Sequence, residues 1–135
     1  MNVRHAMLLI AIISRCLFTP SGEALASACD KASTQSEMNI CGGKETHGAD
    51  AELTAIYQKL LAKVSPDGQA ALRAAERAWI NYRDKQCSFN SLGSAGGSVH
   101  DMVEAQCLTD LTNQQIKQLQ QQLICGPGDL ACGGQ

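Results

Sequence analysis

The number and placement of cysteines constrain this chain more than any other feature. Seven cysteines occur in 135 residues. Cys16 lies in an apolar N-terminal stretch, and the other six, Cys29, Cys41, Cys87, Cys107, Cys125 and Cys132, form an even set. The N-terminus explains the odd one. Arg4 and His5 precede the apolar run Met7 to Ile13, Pro20 and Gly22 break it, and Ala26-Ser27-Ala28 supplies a small-x-small cleavage pattern. Residues 1–28 therefore read as a secretory signal, because an interrupted run of about 12 apolar residues falls short of the roughly 20 that span a bilayer. Cleavage after Ala28 leaves six thiols in an exported chain, and three disulfides are the natural inference. A periplasmic or secreted protein follows, with no transmembrane segment after cleavage. The alternative is a lipoprotein anchored at Cys29. That reading orphans one thiol, and Ala26 stands where such signals usually carry Leu.

Charge narrows the partners. Residues 29–135 carry nine basic and twelve acidic side chains, a net of −3, so there is no cationic excess to neutralise phosphates and nucleic acid is disfavoured. A protein partner remains the expectation, and no cofactor is implied.

Nothing in residues 29–135 alternates with a strand's period of two, and three helical stretches account for most of them. The fold class is all-α: a small disulfide-stapled antiparallel three-helix bundle over residues 29–124, followed by a disulfide-closed tail over 125–135. Thr34-Gln35-Ser36-Glu37 has capping-box spacing and opens the first helix. Leu53, Ile56, Tyr57, Leu60 and Val64 form its apolar stripe. Gly42-Gly43 predicts a kink or break with a restart near Asp50, since each Gly costs about 1 kcal/mol relative to Ala inside a helix. Ser65-Pro66-Asp67 ends that helix and starts the second, with Ser as N-cap and Pro at the first helical position. There Leu72, Ala75, Trp79, Tyr82 and Gln86 share one face, which makes Trp79 and Tyr82 the expected core anchors alongside Leu53 and Tyr57. Residues 91–98, with Gly93, Gly96 and Gly97, read as a mobile loop, and Ser98 as a cap for the third helix. That helix runs to Leu123 with Leu108, Leu111, Ile116, Leu119 and Leu123 inward and a surface dominated by Gln114, Gln115, Gln118, Gln120, Gln121 and Gln122.

Six cysteines allow fifteen pairings, and the sequence alone does not choose among them. If the second and third helices form an antiparallel hairpin, Cys87 and Cys107 face each other across the Gly-rich loop. Cys29 with Cys41 then pins the N-terminus and Cys125 with Cys132 closes the tail. Other uses of these thiols lack support: no C-x-x-C occurs, and His47 and His100 are not spaced as zinc ligands with any cysteine.

Catalytic arrangements fare no better. Ser94 or Ser98 with His100 and Asp101 are too close along the chain for a usual nucleophile–base contact, and no G-x-S-x-G elbow supports them. The glycines of the loop follow no strand, so they do not cradle phosphate. Acid pairs such as Glu45 with Asp50 suit solvation better than glycoside chemistry. Glu76 and Arg83 differ, because on a helical wheel both border Trp79. Arg83 is the expected internal ion-pair partner of Asp50 or Glu52, with its stem on the indole.

At these residues the chain resembles the lysozyme inhibitor LprI N-terminal-like family of bacterial envelope proteins. The likeness runs from Cys29 through Thr34-Gln35, Asn39, Cys41, Ala49-Asp50, Leu53 and Tyr57. It continues over Trp79-Ile80-Asn81-Tyr82-Arg83-Asp84 to Cys87, and over Cys107-Leu108 to about Leu119. The Trp-x-x-Tyr-Arg-Asp-x-x-Cys string is its specific part. The resemblance implies an exported, disulfide-bonded helical domain without a catalytic centre that binds and inhibits a lysozyme. Two departures stand out. Members often carry Arg after a Leu-Thr pair, where this chain has Asn113, Gln114 and Gln115 after Leu111-Thr112, and the Cys125 to Cys132 tail is an addition. Ser94, His100 and Asp101 are the candidate partner-binding residues, and the alternative function is an envelope assembly protein that packs through its Gln-rich helix.

Overall fold

The computed structural model describes residues 29–126 and 128–134. The signal segment 1–28 and its cleavage site lie outside the described residues. Three helices, α1 (Gln35–Lys63), α2 (Pro66–Asn90) and α3 (His100–Leu123), are joined by a tight turn and by a 3-10 turn over Leu92–Ser94.

The helix starts follow from their caps. Thr34 accepts a hydrogen bond from the Glu37 amide at 3.2 Å, and the Glu37 carboxylate accepts one from the Thr34 amide at 3.0 Å, a reciprocal capping box. Backbone amides of Ser33 and Thr34 thereby hold the Glu37 carboxyl below its ordinary range. Ser65 caps α2 through the Gly68 amide, with Pro66 at the first position. α3 departs from expectation: its N-cap is Val99, which offers no side-chain cap. Ser98 instead presents its carbonyl to the Asn39 side-chain amide at 2.9 Å.

The expected break at Gly42-Gly43 does not occur, and α1 runs uninterrupted to Lys63. A Cβ on Gly42 would lie 3.1 Å from the Ala105 Cβ, so this glycine lets α1 and α3 approach closely. Next to it the Thr46 hydroxyl meets the Ala105 carbonyl at 3.1 Å and the Thr109 hydroxyl at 3.0 Å. Contacts between α1 and α3 keep a nearly constant sequence offset, from Asn39 with Ser98 to Lys63 with the Leu123 carbonyl, so these helices run parallel. α2 runs antiparallel to α3, as Glu76 with Gln115, Arg83 with Thr112 and Cys87 with Cys107 show.

The core is Leu53, Leu60, Val64, Ile116 and Leu119, flanked by half-buried Ile56, Tyr57, Leu72, Trp79 and Leu123. Tyr82 is not part of it, being 53% exposed. The inward line of α2 follows Leu72, Glu76, Trp79, Arg83 and Cys87, a heptad-like spacing that leaves Tyr82 one position outside. Gln115 likewise leaves the expected surface for the interior, where it is 8% exposed.

Three disulfides staple the bundle: Cys29–Cys41, Cys87–Cys107 and Cys125–Cys132. The tail folds back onto the start of α2. Gly134 accepts from the Ser65 amide at 2.8 Å, and Gln122 clamps the same segment through the Gly133 amide and the Ala131 carbonyl. A Cβ on Gly134, whose φ is +72°, would lie 2.9 Å from the Gly68 Cα, so two glycines make that contact possible.

Candidate functional site

Two features carry polar chemistry: a seam buried between the helices, and the exposed end of the molecule where α2 passes into α3. Arg83 organises the seam. Its guanidinium donates to Asp50 at 2.6 Å and to the fully buried Thr112 hydroxyl at 3.0 Å, contacts Asp84 at 3.0 Å, and lies 5.3 Å from the Trp79 ring centroid. Below it the Glu76 carboxylate accepts from the Gln115 amide at 3.1 Å. Burial pushes the Glu76 carboxyl up, opposed by the Gln115 bond and the Arg83 charge. The cleft above, about 270 Å³ between Asp50, Tyr57, Glu76 and Arg83, is small, and Asp50, Arg83, Thr112, Glu76 and Gln115 each have a partner inside the fold. Among the described residues no buried side-chain nitrogen or oxygen lacks a hydrogen bond. The seam fastens α2 to its two neighbours.

The α2–α3 connection is an ordered turn and not the expected mobile loop. Backbone bonds run from the Ser94 amide to Ser91, Ala95 to Leu92, Gly97 to Ser94 and His100 to Gly97, and Cys87–Cys107 closes its base. Ser94 and His100, separated by six residues, come together: Oγ lies 3.1 Å from Nδ1. The same hydroxyl lies 2.8 Å from the Ser91 carbonyl, to which it can only donate, so the imidazole competes with that carbonyl for its proton. His100 Nε2 faces Glu104 at 4.0 Å, and Asp101 stands exposed on the first turn of α3. The three candidates thus share one end of the bundle, without forming a triad.

Two residues at that end escaped the sequence reading. Phe89 is 68% exposed and Leu92 is 62% exposed. The missed signal is register: Phe89 lies seven residues after Tyr82, on the same outward face and away from the inward line.

Elsewhere Cys125, Asp129 and Cys132 converge, but the two sulfurs are bonded to each other and are not free ligands. An apolar groove of about 550 Å³ between Leu60, Leu72, Ala75, Leu119 and the tail brings together no titratable pair. No helix among the described residues is long and apolar enough to cross a membrane.

The fold and the site therefore define a disulfide-bonded helical protein whose distinctive exposed element is a preformed loop. The family model of the lysozyme inhibitor LprI matches residues 26–119, and the chain belongs to that family. It is similar to an uncharacterised protein of Rhizobium meliloti (strain 1021), 29% identical over 132 residues that cover 88% of this chain and 95% of the relative. No solved structure matches the chain. The family is one of inhibitors, and the three disulfides of this chain suit an oxidising compartment outside the cytoplasm.

Proposed function

We propose that this protein is exported through residues 1–28 and acts, without catalysis, by binding and inhibiting a lysozyme-type peptidoglycan hydrolase. The observation that carries the reading is the hydrogen-bonded turn at residues 91–98 above the Cys87–Cys107 bridge, in a chain of an inhibitor family. A binder that presents a preformed loop loses less conformational freedom on association. Ala95-Gly96-Gly97-Ser98 is small, uncharged and exposed, which suits entry into a narrow cleft between two carboxylates. Ser94 and His100 brace that tip from below, and Asp101 remains at its rim. The Cys29 sulfur is engaged with Cys41, which favours a periplasmic or secreted form over a lipid anchor on that thiol.

The test is lysis of peptidoglycan by several lysozyme types in the presence of the purified protein. Inhibition that disappears in a Ser94→Ala/His100→Ala variant of unchanged melting temperature supports the reading. Indifference to every muramidase refutes it and leaves the assembly role, through the exposed Gln114, Gln118, Gln120 and Gln121 of α3, as the surviving alternative.

A further inference from the structure

The outward face at the end of α2 carries large exposed apolar groups, with Lys85 and Gln86 between Tyr82 and Phe89. Tyr82, Phe89 and Leu92 are 53%, 68% and 62% exposed, and they follow one another along the helix and into the 3-10 turn. Scattered apolar residues on a surface mean little, but aromatic and aliphatic groups in one line beside a braced loop have the composition of an interface core.

The distribution of charge says what such a core would meet. Asp30, Glu37, Asp101 and Glu104 gather at this same end, where α1 and α3 both begin, against Lys31 and, beside the apolar line, Lys85. The bonds from Asn39 to Ser98 and from Gln35 to Met102 hold those two helix starts side by side. Over the rest of residues 29–134, seven basic side chains stand against eight acidic ones. Two of the three net negative charges therefore sit at the end that carries Phe89 and Leu92. Glu37 and its capping bonds keep one of these charges in place at any pH above the ordinary carboxylate range.

We infer that this end is a docking face for a strongly basic protein, with Phe89 and Leu92 as apolar anchors and Asp101 and Glu104 as the charged rim. This rests on the reading above and specifies the class of target. An anionic membrane or a nucleic acid would be repelled by the same charges, and a small cation would make no use of the apolar line. The acids steer a basic partner and orient it, while the anchors, desolvated at the centre, carry most of the affinity. Asp101 and Glu104 flank the uncharged tip, so the negative charge meets the rim of a target's cleft and stays clear of its own carboxylates.

The experiment is titration calorimetry of the purified protein against a basic C-type lysozyme and against the same lysozyme after lysine acetylation. The basic form is expected to bind, with affinity falling about tenfold between 50 and 300 mM salt, and acetylation is expected to weaken binding at least tenfold. Asp101→Asn/Glu104→Gln should weaken it about fivefold or more, and Phe89→Ser about tenfold or more, with melting temperatures confirming folded variants. Glu45→Lys, on α1 away from that end, should leave it within about twofold. Binding and inhibition that persist unchanged through acetylation, salt and the loop-end variants would overturn the docking face and leave the inhibitor reading intact. Failure to bind or inhibit any lysozyme would overturn both.

Discussion

Replacing Arg83 with Met keeps most of the apolar stem and deletes the guanidinium, which isolates the polar part of the seam. Four interactions are lost, of which the contact with exposed Asp84, the neighbouring residue, contributes little. The ion pair with half-exposed Asp50 contributes about 0.5–1 kcal/mol. The buried Thr112 hydroxyl, 0% exposed, loses its guanidinium partner at a cost of about 1–2 kcal/mol. The cation over Trp79 contributes about 0.5–1 kcal/mol at this degree of exposure. The expected loss is about 3 kcal/mol. For a domain of roughly 100 residues that lowers the melting temperature by about 12–15 °C. Thermal unfolding followed by circular dichroism at pH 7 measures it, and a double-mutant cycle with Thr112→Val separates the hydroxyl's share. A coupling of about 1 kcal/mol is expected, because each single change breaks the same bond. There is also a pH signature. Arg83 holds the raised Glu76 carboxyl down, so its removal raises that group further and adds a penalty only while Glu76 is ionised. The deficit of the variant therefore shrinks on acidification, as Glu76 becomes protonated in both states. A melting temperature within about 3 °C of wild type, or strict additivity with Thr112→Val, would refute the claim that α2 is fastened here.

Other perturbations test the remaining assignments. Glu76→Gln keeps an amide partner for Gln115 and removes a charge that burial disfavours. Glu76 has a native pKa above its unfolded value, so the variant should gain on wild type as pH rises from about 4 to 7, and should match it below the unfolded value, as denaturant titration at each pH will show. A difference that is flat with pH sinks this reasoning. Gly42→Leu drives a side chain into Ala105 and should cost about 2 kcal/mol, whereas Gly43→Ala, which meets nothing within 4 Å, should add about 0.5–1 kcal/mol. Equal effects at both positions, in urea melts, would deny the close helix approach. Removing Cys87–Cys107 as a double Ala variant should cost about 3 kcal/mol and removing Cys125–Cys132 about 2 kcal/mol, the longer loop losing more. The reverse order would point to strain or unfolded-state structure in place of loop entropy.

Much of this architecture is written in local chemistry. Thr34 with Glu37, and Ser65 with Pro66, announce helix starts because a cap involves residues three or fewer positions apart, and Arg83 betrays itself by sharing a face with Trp79. What stayed hidden depends on partners far along the chain. Gly42 looks like a helix breaker until Ala105, 63 residues later, is seen lying against it. The rule that apolar groups go in and amides go out puts Tyr82 and Gln115 each on the wrong side. The seam inverts that rule, since Glu76 requires an internal donor and Arg83 takes the place a hydrophobic residue would hold. The loop at 91–98 misled in a related way: its glycines suggest freedom, whereas Ser94, His100 and the Cys87–Cys107 bridge remove it. Phe89 and Leu92 could have been found by asking which large apolar side chains the inward line leaves over.

The way α2 is held has a consequence for how the molecule breathes. α1 and α3 interlock along their length through Gly42, Thr46 and the core leucines, while α2 is held by a proline turn at one end, a sulfur bridge at the other, and between them Leu72, Trp79, the Glu76–Gln115 bond and Arg83. Thermal fluctuation should lift this arm away before the parallel pair parts, so that deuterium enters the amides of α2 ahead of those of α1 and α3. Both moorings survive such an excursion, which means the arm swings back without searching and the loop it carries returns to the same spot.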